Sequence, residues 1–213
     1  MLPLAVYQDS VPNHMYGAYA AADFKPVATT MITSGLRVDH YDFTGETTLG
    51  PRLQVSHELD EAWTLRLAMG AYSRGLEFAE SIDPDLRPET AFQYVAGAKY
   101  EIADGITAEA SVFYTDRRDL ITIDPLKAKI DPLRSYVNRG NGRSFGAEAI
   151  VRAKLDDFFG WLTYSVSRSD RIDGPLSERR LFDFDQTHNL VAVGSYTLGK
   201  WQFGARFQYA TGQ

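Results

Sequence analysis

From Trp63 onward the chain alternates: Trp63, Leu65, Leu67, Met69 and Ala71 are interleaved with Thr64, Arg66, Ala68 and Gly70. The same period of two sets Ile106, Ala108, Ala110, Val112 and Tyr114 against Thr107, Glu109, Ser111, Thr115 and Arg117. It returns in Phe145, Ala147, Ala149, Val151, Ala153 and Leu155 against Glu148, Arg152 and Lys154. The cleanest run opposes Trp201, Phe203, Ala205, Phe207 and Tyr209 to Gln202, Gly204, Arg206 and Gln208. A β-strand points successive side chains to opposite sides, so each run has one apolar and one polar face. A helical period would scatter Arg66, Glu148, Arg152 and Arg206 among their apolar neighbours. The pattern predicts strands at 14–25, 29–42, 48–59, 62–74, 89–102, 105–122, 135–154, 157–170, 185–198 and 200–211. Eight of these runs are 12 to 14 residues long and two, 105–122 and 135–154, are 18 and 20, roughly twice an ordinary soluble strand or more. That is the length a tilted strand needs to cross a bilayer.

The connections carry a second signal. Gaps near 26–28, 60–61, 103–104, 155–156 and 199 are tight, whereas 75–88, 123–134 and 171–184 are long, with 43–47 between these extremes. Alternating short and long connections put all the turns at one end of an up-and-down sheet and all the loops at the other, the arrangement of outer-membrane barrels. Trp63, Trp161 and Trp201 each follow a tight turn, at Leu59-Asp60-Glu61, Leu155-Asp156-Asp157 and Leu198-Gly199-Lys200. The three tryptophans are therefore expected to form a membrane-interface girdle on the short-turn, periplasmic side. The expected fold is all-β: an antiparallel up-and-down transmembrane β-barrel segment of about ten long strands, with short periplasmic turns and long extracellular loops. Residues 1–213 are read as a single partial barrel domain, its strands lying within 14–211.

Composition agrees with such a wall. The chain is 44% apolar and 13% aromatic, with a mean hydropathy of −0.28, and it has no run long enough for a helical span. A β-barrel hides its membrane signal in this way, because only alternate residues meet lipid. A net charge of −6 and a pI near 5.2 argue against nucleic acid as a partner. The absence of cysteine removes disulfides and thiolate metal sites and leaves the redox compartment open. The opening Met1-Leu2-Pro3-Leu4-Ala5 lacks the basic and apolar parts of a signal peptide, and Tyr209-Ala210-Thr211-Gly212-Gln213 stops as a strand ends. The expectation is a chain cut at both ends.

At Leu86-Arg87-Pro88-Glu89-Thr90, then Tyr94, Gly97 and Lys99-Tyr100, the sequence resembles the barrel of a TonB-dependent outer-membrane receptor. The likeness continues through Gly105-Ile106-Thr107, Ser111-Val112-Phe113-Tyr114 and Asp119-Leu120-Ile121. It takes in Asn138, Gly140, Gly142, Ser144, Gly146 and Glu148, then Asp185-Gln186-Thr187-His188-Asn189-Leu190 and Gly204-x-Arg206-Phe207-x-Tyr209-x-Thr211-Gly212. Gly50-Pro51-Arg52-Leu53 and Ala68-Met69-Gly70-Ala71-Tyr72-Ser73 fit as well, so the resemblance covers most of 14–213. It implies a Gram-negative outer-membrane location and active uptake of a scarce nutrient, a ferric siderophore first. The implied partners are outer-membrane lipid, a plug domain, TonB and a small-molecule or metal-chelate substrate. The family barrel has 22 strands closed by a plug. The expected role here is a section of mid to late barrel strands, with no plug, no TonB box and no terminal aromatic-ended strand in this sequence. The competing reading is an autonomous ten-stranded outer-membrane barrel acting as a pore, an adhesin or a rim protease.

Candidate chemistry is sparse. His14 and His57 lie near strand ends and His40 lies between Asp39 and Tyr41, with no ligand spacing. Asp183, Asp185 and His188 suggest an acid/base group where a long loop enters a strand, yet they sit inside the family-like run and are read as rim positions. Asn138-Arg139-Gly140-Asn141-Gly142-Arg143 opens a strand and lacks a Lys-Ser/Thr ending, so it reads as a bulge rather than a phosphate loop. No catalytic residue, metal or cofactor is expected. Arg37, Asp39, Arg52, Arg66, Glu109, Arg117, Glu148, Arg152 and Arg206 are expected to face the lumen, in contact with water or plug. Tyr41, Phe43, Tyr72, Phe78, Tyr114 and Tyr136 are read as an outer aromatic girdle, with a ligand platform as the alternative. The long loops are the natural place for substrate capture, but their mixed charge does not identify the substrate.

Overall fold

The computed structural model describes residues 14–77, 80, 85–131, 135–174 and 177–212. Its strands are β1 (Met15–Val27), β2 (Thr30–Tyr41), β3 (Glu46–Glu58), β4 (Trp63–Arg74), β5 (Glu89–Ala103) and β6 (Ile106–Ile123). They continue as β7 (Tyr136–Lys154), β8 (Phe158–Ile172), β9 (Arg180–Leu181), β10 (His188–Leu198) and β11 (Trp201–Ala210), with one short helix, α1 (Pro125–Ile130). All ten long runs read from the alternation are strands. They pair antiparallel in the order β1-β2-β3-β4-β5-β6-β7-β8-β10-β11, and β9 adds to β8. β1 and β11 end this order without pairing each other, so the sheet is an open wall.

Two features go beyond the alternation. Asp124 caps α1, its carboxylate accepting from the Leu126 and Lys127 N–H groups, and Pro125 sits where a missing N–H costs nothing. β9 is only two residues long and follows the outer part of β8 through Asp170↔Leu181 and Arg171↔Arg180. β10 starts at His188 rather than at 185 because Asp185 is occupied in a turn. Its carboxylate accepts from the Ser169 N–H at 2.6 Å and from the Thr187 hydroxyl at 3.1 Å.

The short turns are locally encoded. Asp60 accepts from the Ala62 and Trp63 N–H groups at 2.8 and 2.7 Å, a side-chain-closed turn that launches β4. Gly105 turns the chain into β6 with φ 74, and a Cβ there would lie 2.2 Å from the Lys154 carbonyl oxygen. Gly105→Ala should therefore cost about 1–2 kcal/mol for the left-handed backbone, with the clash in addition. A lowered unfolding midpoint in denaturant is the expected reading.

Register fixes the faces, because residues opposite each other in an antiparallel pair point the same way. One row runs Arg66, Gly97, Ser111, Glu148, Ser165, Asn189. The opposite face carries Trp63, Tyr100, Ala108, Val151, Leu162, Ala192 and Phe207 in one row. That row starts on the first residue of β4 but reaches β11 at Phe207, well past its opening Trp201. Such a stagger is the shear of tilted strands in a barrel wall.

The wall has almost no core. Among the described residues the buried apolar side chains are Tyr41, Leu86, Leu120 and Ile121, all toward the long-loop end. The apolar face stays open, with Leu67 55%, Val112 56% and Phe203 60% exposed. A contiguous uncovered surface of this kind demands an apolar surrounding.

Candidate functional site

The polar face holds ion pairs, some between strands and some along a single strand. Glu109 on β6 accepts from Arg66 on β4 at 3.1 Å and from Arg152 on β7 at 2.5 Å. Arg66 reaches over β5 because its partner there is Gly97, whose missing side chain leaves the path clear; a Cβ at Gly97 would meet the Ala110 carbonyl oxygen at 2.9 Å. Lys99 and Glu101, on the same face of β5, form a close pair beside this triad. On β2 the Arg37 guanidinium donates Nε and Nη2 to the two oxygens of Asp39, each at 2.7 Å. Gly17 on β1 makes room for that fork, since a Cβ there would approach the Asp39 carboxylate to 2.5 Å. Arg52 lies over the Tyr72 ring at 4.8 Å, Arg117 donates to Ser144 at 3.0 Å, and Arg206 donates to Gln208 at 2.9 Å. Glu148 shares the row of Arg66.

Register also places the tryptophans. Trp63 and Trp201 stand on the apolar face, Trp63 stacked on Tyr100 at 4.5 Å between ring centres. Trp161 does not. It pairs with Arg152 and Val193 and so shares the polar face, while Phe158, Leu162 and Tyr164 occupy the apolar side of β8. The girdle position assigned to Trp161 is corrected accordingly: nearness to a turn does not set the face, and the Thr163, Ser165, Ser167, Ser169 series shows which parity of β8 is polar.

The other aromatics divide. Tyr114 stands on the apolar face, opposite Tyr94 and Phe145. Tyr41 is buried, its hydroxyl 3.0 Å from that of Ser73, and Tyr72 lies under Arg52, so neither joins a girdle. Tyr136 lines a rim cavity, Phe43 lies in the β2–β3 turn, and Phe78 falls outside the described residues.

At the long-loop end the carboxylates are clamps. Glu89, first residue of β5, accepts from Arg74 Nε at 2.9 Å and from the Ile121 N–H at 2.7 Å, tying β4 and β6 across β5. Asn138 bonds the Arg87 N–H at 2.8 Å and C=O at 3.0 Å, and donates to the Asp119 C=O at 2.7 Å. It thereby holds a bulge in β6 where Asp119 takes φ 57. The glycine-rich segment is thus a bulge clamp. Beyond β8, Asp173 binds Arg171 at 2.6 Å and Arg180 at 2.8 Å. Burial pushes its carboxyl up, but the Arg180 and Arg171 guanidinium groups outweigh this and hold it below the usual range. The helix-capping N–H groups of Leu126 and Lys127 hold Asp124 low as well. Arg139, Arg171, Arg180, Tyr136 and Asp173 line a cavity of about 730 Å³ open to the rim.

The acid/base candidates are separated by their own partners. Asp183 pairs with Arg180 at 2.7 Å, Asp185 closes its turn, and His188 Nδ1 lies 2.8 Å from the Tyr164 hydroxyl with the rings stacked. The other histidines serve locally, His57 with Thr30 at 2.8 Å and His40 with Thr47 at 3.0 Å. Among the described residues no group of three His, Asp or Glu side chains forms a metal cage.

A wall of long tilted antiparallel strands, one face apolar and exposed and the other ion-paired, defines a section of a β-barrel. The family model for the TonB-dependent receptor-like β-barrel matches residues 3–213, and the chain belongs to that family. Among solved structures it resembles the FrpB iron transporter from Neisseria meningitidis, with TM-score 0.72, 18% identity and coverage of 93% of this chain and 33% of that one. The siderophore receptor PirA from Acinetobacter baumannii gives TM-score 0.75 at 14% identity, covering 92% of this chain and 33% of PirA. The copper transporter OprC gives TM-score 0.71 at 18% identity, covering 93% and 34%. The chain thus spans about a third of the length of these structures. No curated protein matches the sequence significantly.

Proposed function

We propose that this chain is a single wall section in the barrel of a receptor for active nutrient uptake across a Gram-negative outer membrane, with a ferric siderophore or related metal chelate as cargo. The observation that carries the reading is the division of one sheet into an exposed apolar face and an ion-paired polar face. The first meets lipid. The second, with Arg66, Glu109, Arg152 and the Arg37–Asp39 pair, lines the lumen and contacts water and a plug domain. The long loops face outward, and the arginine-bearing rim cavity suits an anionic chelate. Iron, siderophore and copper in the names of the similar transporters support a metal cargo. The role is binding and passage, with TonB as the energy-coupling partner, and not catalysis.

The unpaired edges of β1 and β11 favour a larger barrel over an autonomous small one, since bare strand edges in lipid leave backbone groups unsatisfied. The function is tested in cells whose only ferric-siderophore route is the receptor carrying this chain. Accumulation of radioactive iron should stop when an uncoupler collapses the proton-motive force. Uptake insensitive to the uncoupler would indicate a passive pore and contradict the proposal.

A further inference from the structure

The apolar face is free of Asp, Glu, Lys and Arg along nearly all of its length, except at one place. Register puts Asp116 and Arg118 of β6, Arg143 of β7, and Arg168 and Asp170 of β8 on this face, all at the long-loop end of three adjacent strands. Asp116 is opposite Arg143, which is opposite Asp170. Just below them are Tyr114 on β6 and Phe145 on β7, and on β8 Val166 followed by Tyr164.

The cluster is built around a buried carboxylate. Asp170 is 2% exposed and accepts from Arg143 Nε at 3.1 Å; Arg179, from the segment before β9, closes on the same oxygen. Arg168 Nε stands 3.8 Å from the second oxygen. Arg118 forks onto Asp116 while its guanidinium covers the Phe92 ring at 4.9 Å, and Arg143 lies 5.7 Å from the Phe145 ring centre. Four guanidinium groups against two carboxylates leave an excess of positive charge in a chain whose net charge is −6. The arginines remain open to the surroundings, Arg118 and Arg168 most of all, with side chains 59% and 58% exposed. Among the described residues Arg143 and Arg168 make no ion pair besides the one with Asp170.

We propose that Arg118, Arg143, Arg168 and Arg179 form a docking site for the phosphate groups of a phosphorylated lipid headgroup in the outer leaflet. The inference rests on the apolar face meeting lipid, as in the proposed function. Its location follows from depth: charges that would be costly lower on this face stand at its upper border, where aromatic rings give way to headgroups. Guanidinium is suited to the task, being planar, weakly hydrated and able to fork onto phosphate oxygens while resting on an aromatic ring. Asp170 organises the arginines without neutralising them. An acidic protein partner fits less well, because the patch is continuous with the lipid-facing surface.

The test uses the receptor carrying this chain, purified in an uncharged detergent and examined by native mass spectrometry. The probes are dioctanoyl phosphatidic acid, dioctanoyl phosphatidylcholine and inorganic phosphate. Saturable binding of phosphatidic acid is expected, with phosphatidylcholine much weaker. The Arg118→Gln/Arg143→Gln/Arg168→Gln variant should bind phosphatidic acid at least about tenfold more weakly, since the loss of a single charge-assisted contact already has that effect. Should the triple variant fail to fold, Arg168→Gln alone leaves Arg143 and Arg179 on Asp170 and should still weaken binding several-fold. Equal binding by variant and parent, or inorganic phosphate binding as well as the lipid, would overturn the proposal. Insertion into lipid vesicles separates the two levels. A receptor that inserts without arginine-dependent lipid binding removes only this inference, whereas one that does not insert removes the lipid-facing reading itself.

Discussion

Val112→Arg should lower the stability of the membrane-inserted barrel by about 2–4 kcal/mol, the cost of a cation near the bilayer midplane on the lipid face. Val112 is midway along β6, 56% exposed, between Ala96 of β5 and Ala147 of β7. Those small neighbours offer an arginine no partner. Glu109→Gln, three residues away on the opposite face, should change stability by no more than about 1 kcal/mol, because it loosens pairs with two half-exposed arginines. Urea titration of the folded band in lipid, read by its heat-modifiable migration, separates the two. Equal losses would remove the assignment of faces.

Glu89→Leu should cost about 1–3 kcal/mol, because a buried N–H loses its acceptor. Glu89 accepts both the Ile121 N–H and Arg74 Nε, and its side chain is only 15% exposed. Arg74 keeps Glu77 and Glu80, which limits the damage on its side. Glu89→Gln retains an acceptor for Ile121 and should be milder. The effect should concentrate at the rim, as faster proteolysis near residues 75–88 and 119–124, while the strands near the short turns keep their protection. Uniform loss of protection would show that the clamp does not act locally.

The strands were legible because alternation is a direct consequence of a wall with two solvents. Each long run in the sequence is a strand, and the connections alternate in length as an up-and-down path requires. Trp161 was misplaced for a physical reason. A girdle position needs both the right depth and the right parity, and the turn at 155–157 gives only the depth. Reading β8 by parity, with Thr163, Ser165, Ser167 and Ser169 on the side of Trp161, would have placed it correctly. Helix α1 had its own signal in Asp124-Pro125, a capping residue followed by proline, which the strand pattern overshadowed.

The rim was less readable. Pro88-Glu89 was visible as a family-like pair, but its partners Arg74 and Ile121 come from two other strands and no local spacing announces them. The same holds for Asn138, whose amide clamps Arg87 and Asp119. The charged residues of the polar face were found by parity alone, whereas their pairing into Arg66–Glu109–Arg152 depends on Gly97 clearing the path between strands. The outer arginine cluster was hidden because Arg143, Arg168 and Asp170 gain their common face only through register.

Whether this sheet is an open section of a larger barrel is decided at its edges. Single cysteines replacing Ala20 on β1 and Ala205 on β11, in the receptor carrying this chain, would be exposed to a short bifunctional thiol reagent in membranes. No cross-link is expected, because in a larger barrel each edge would pair with a different strand. Efficient linkage would mean that β1 and β11 meet, closing a ten-stranded barrel and contradicting the open-section reading.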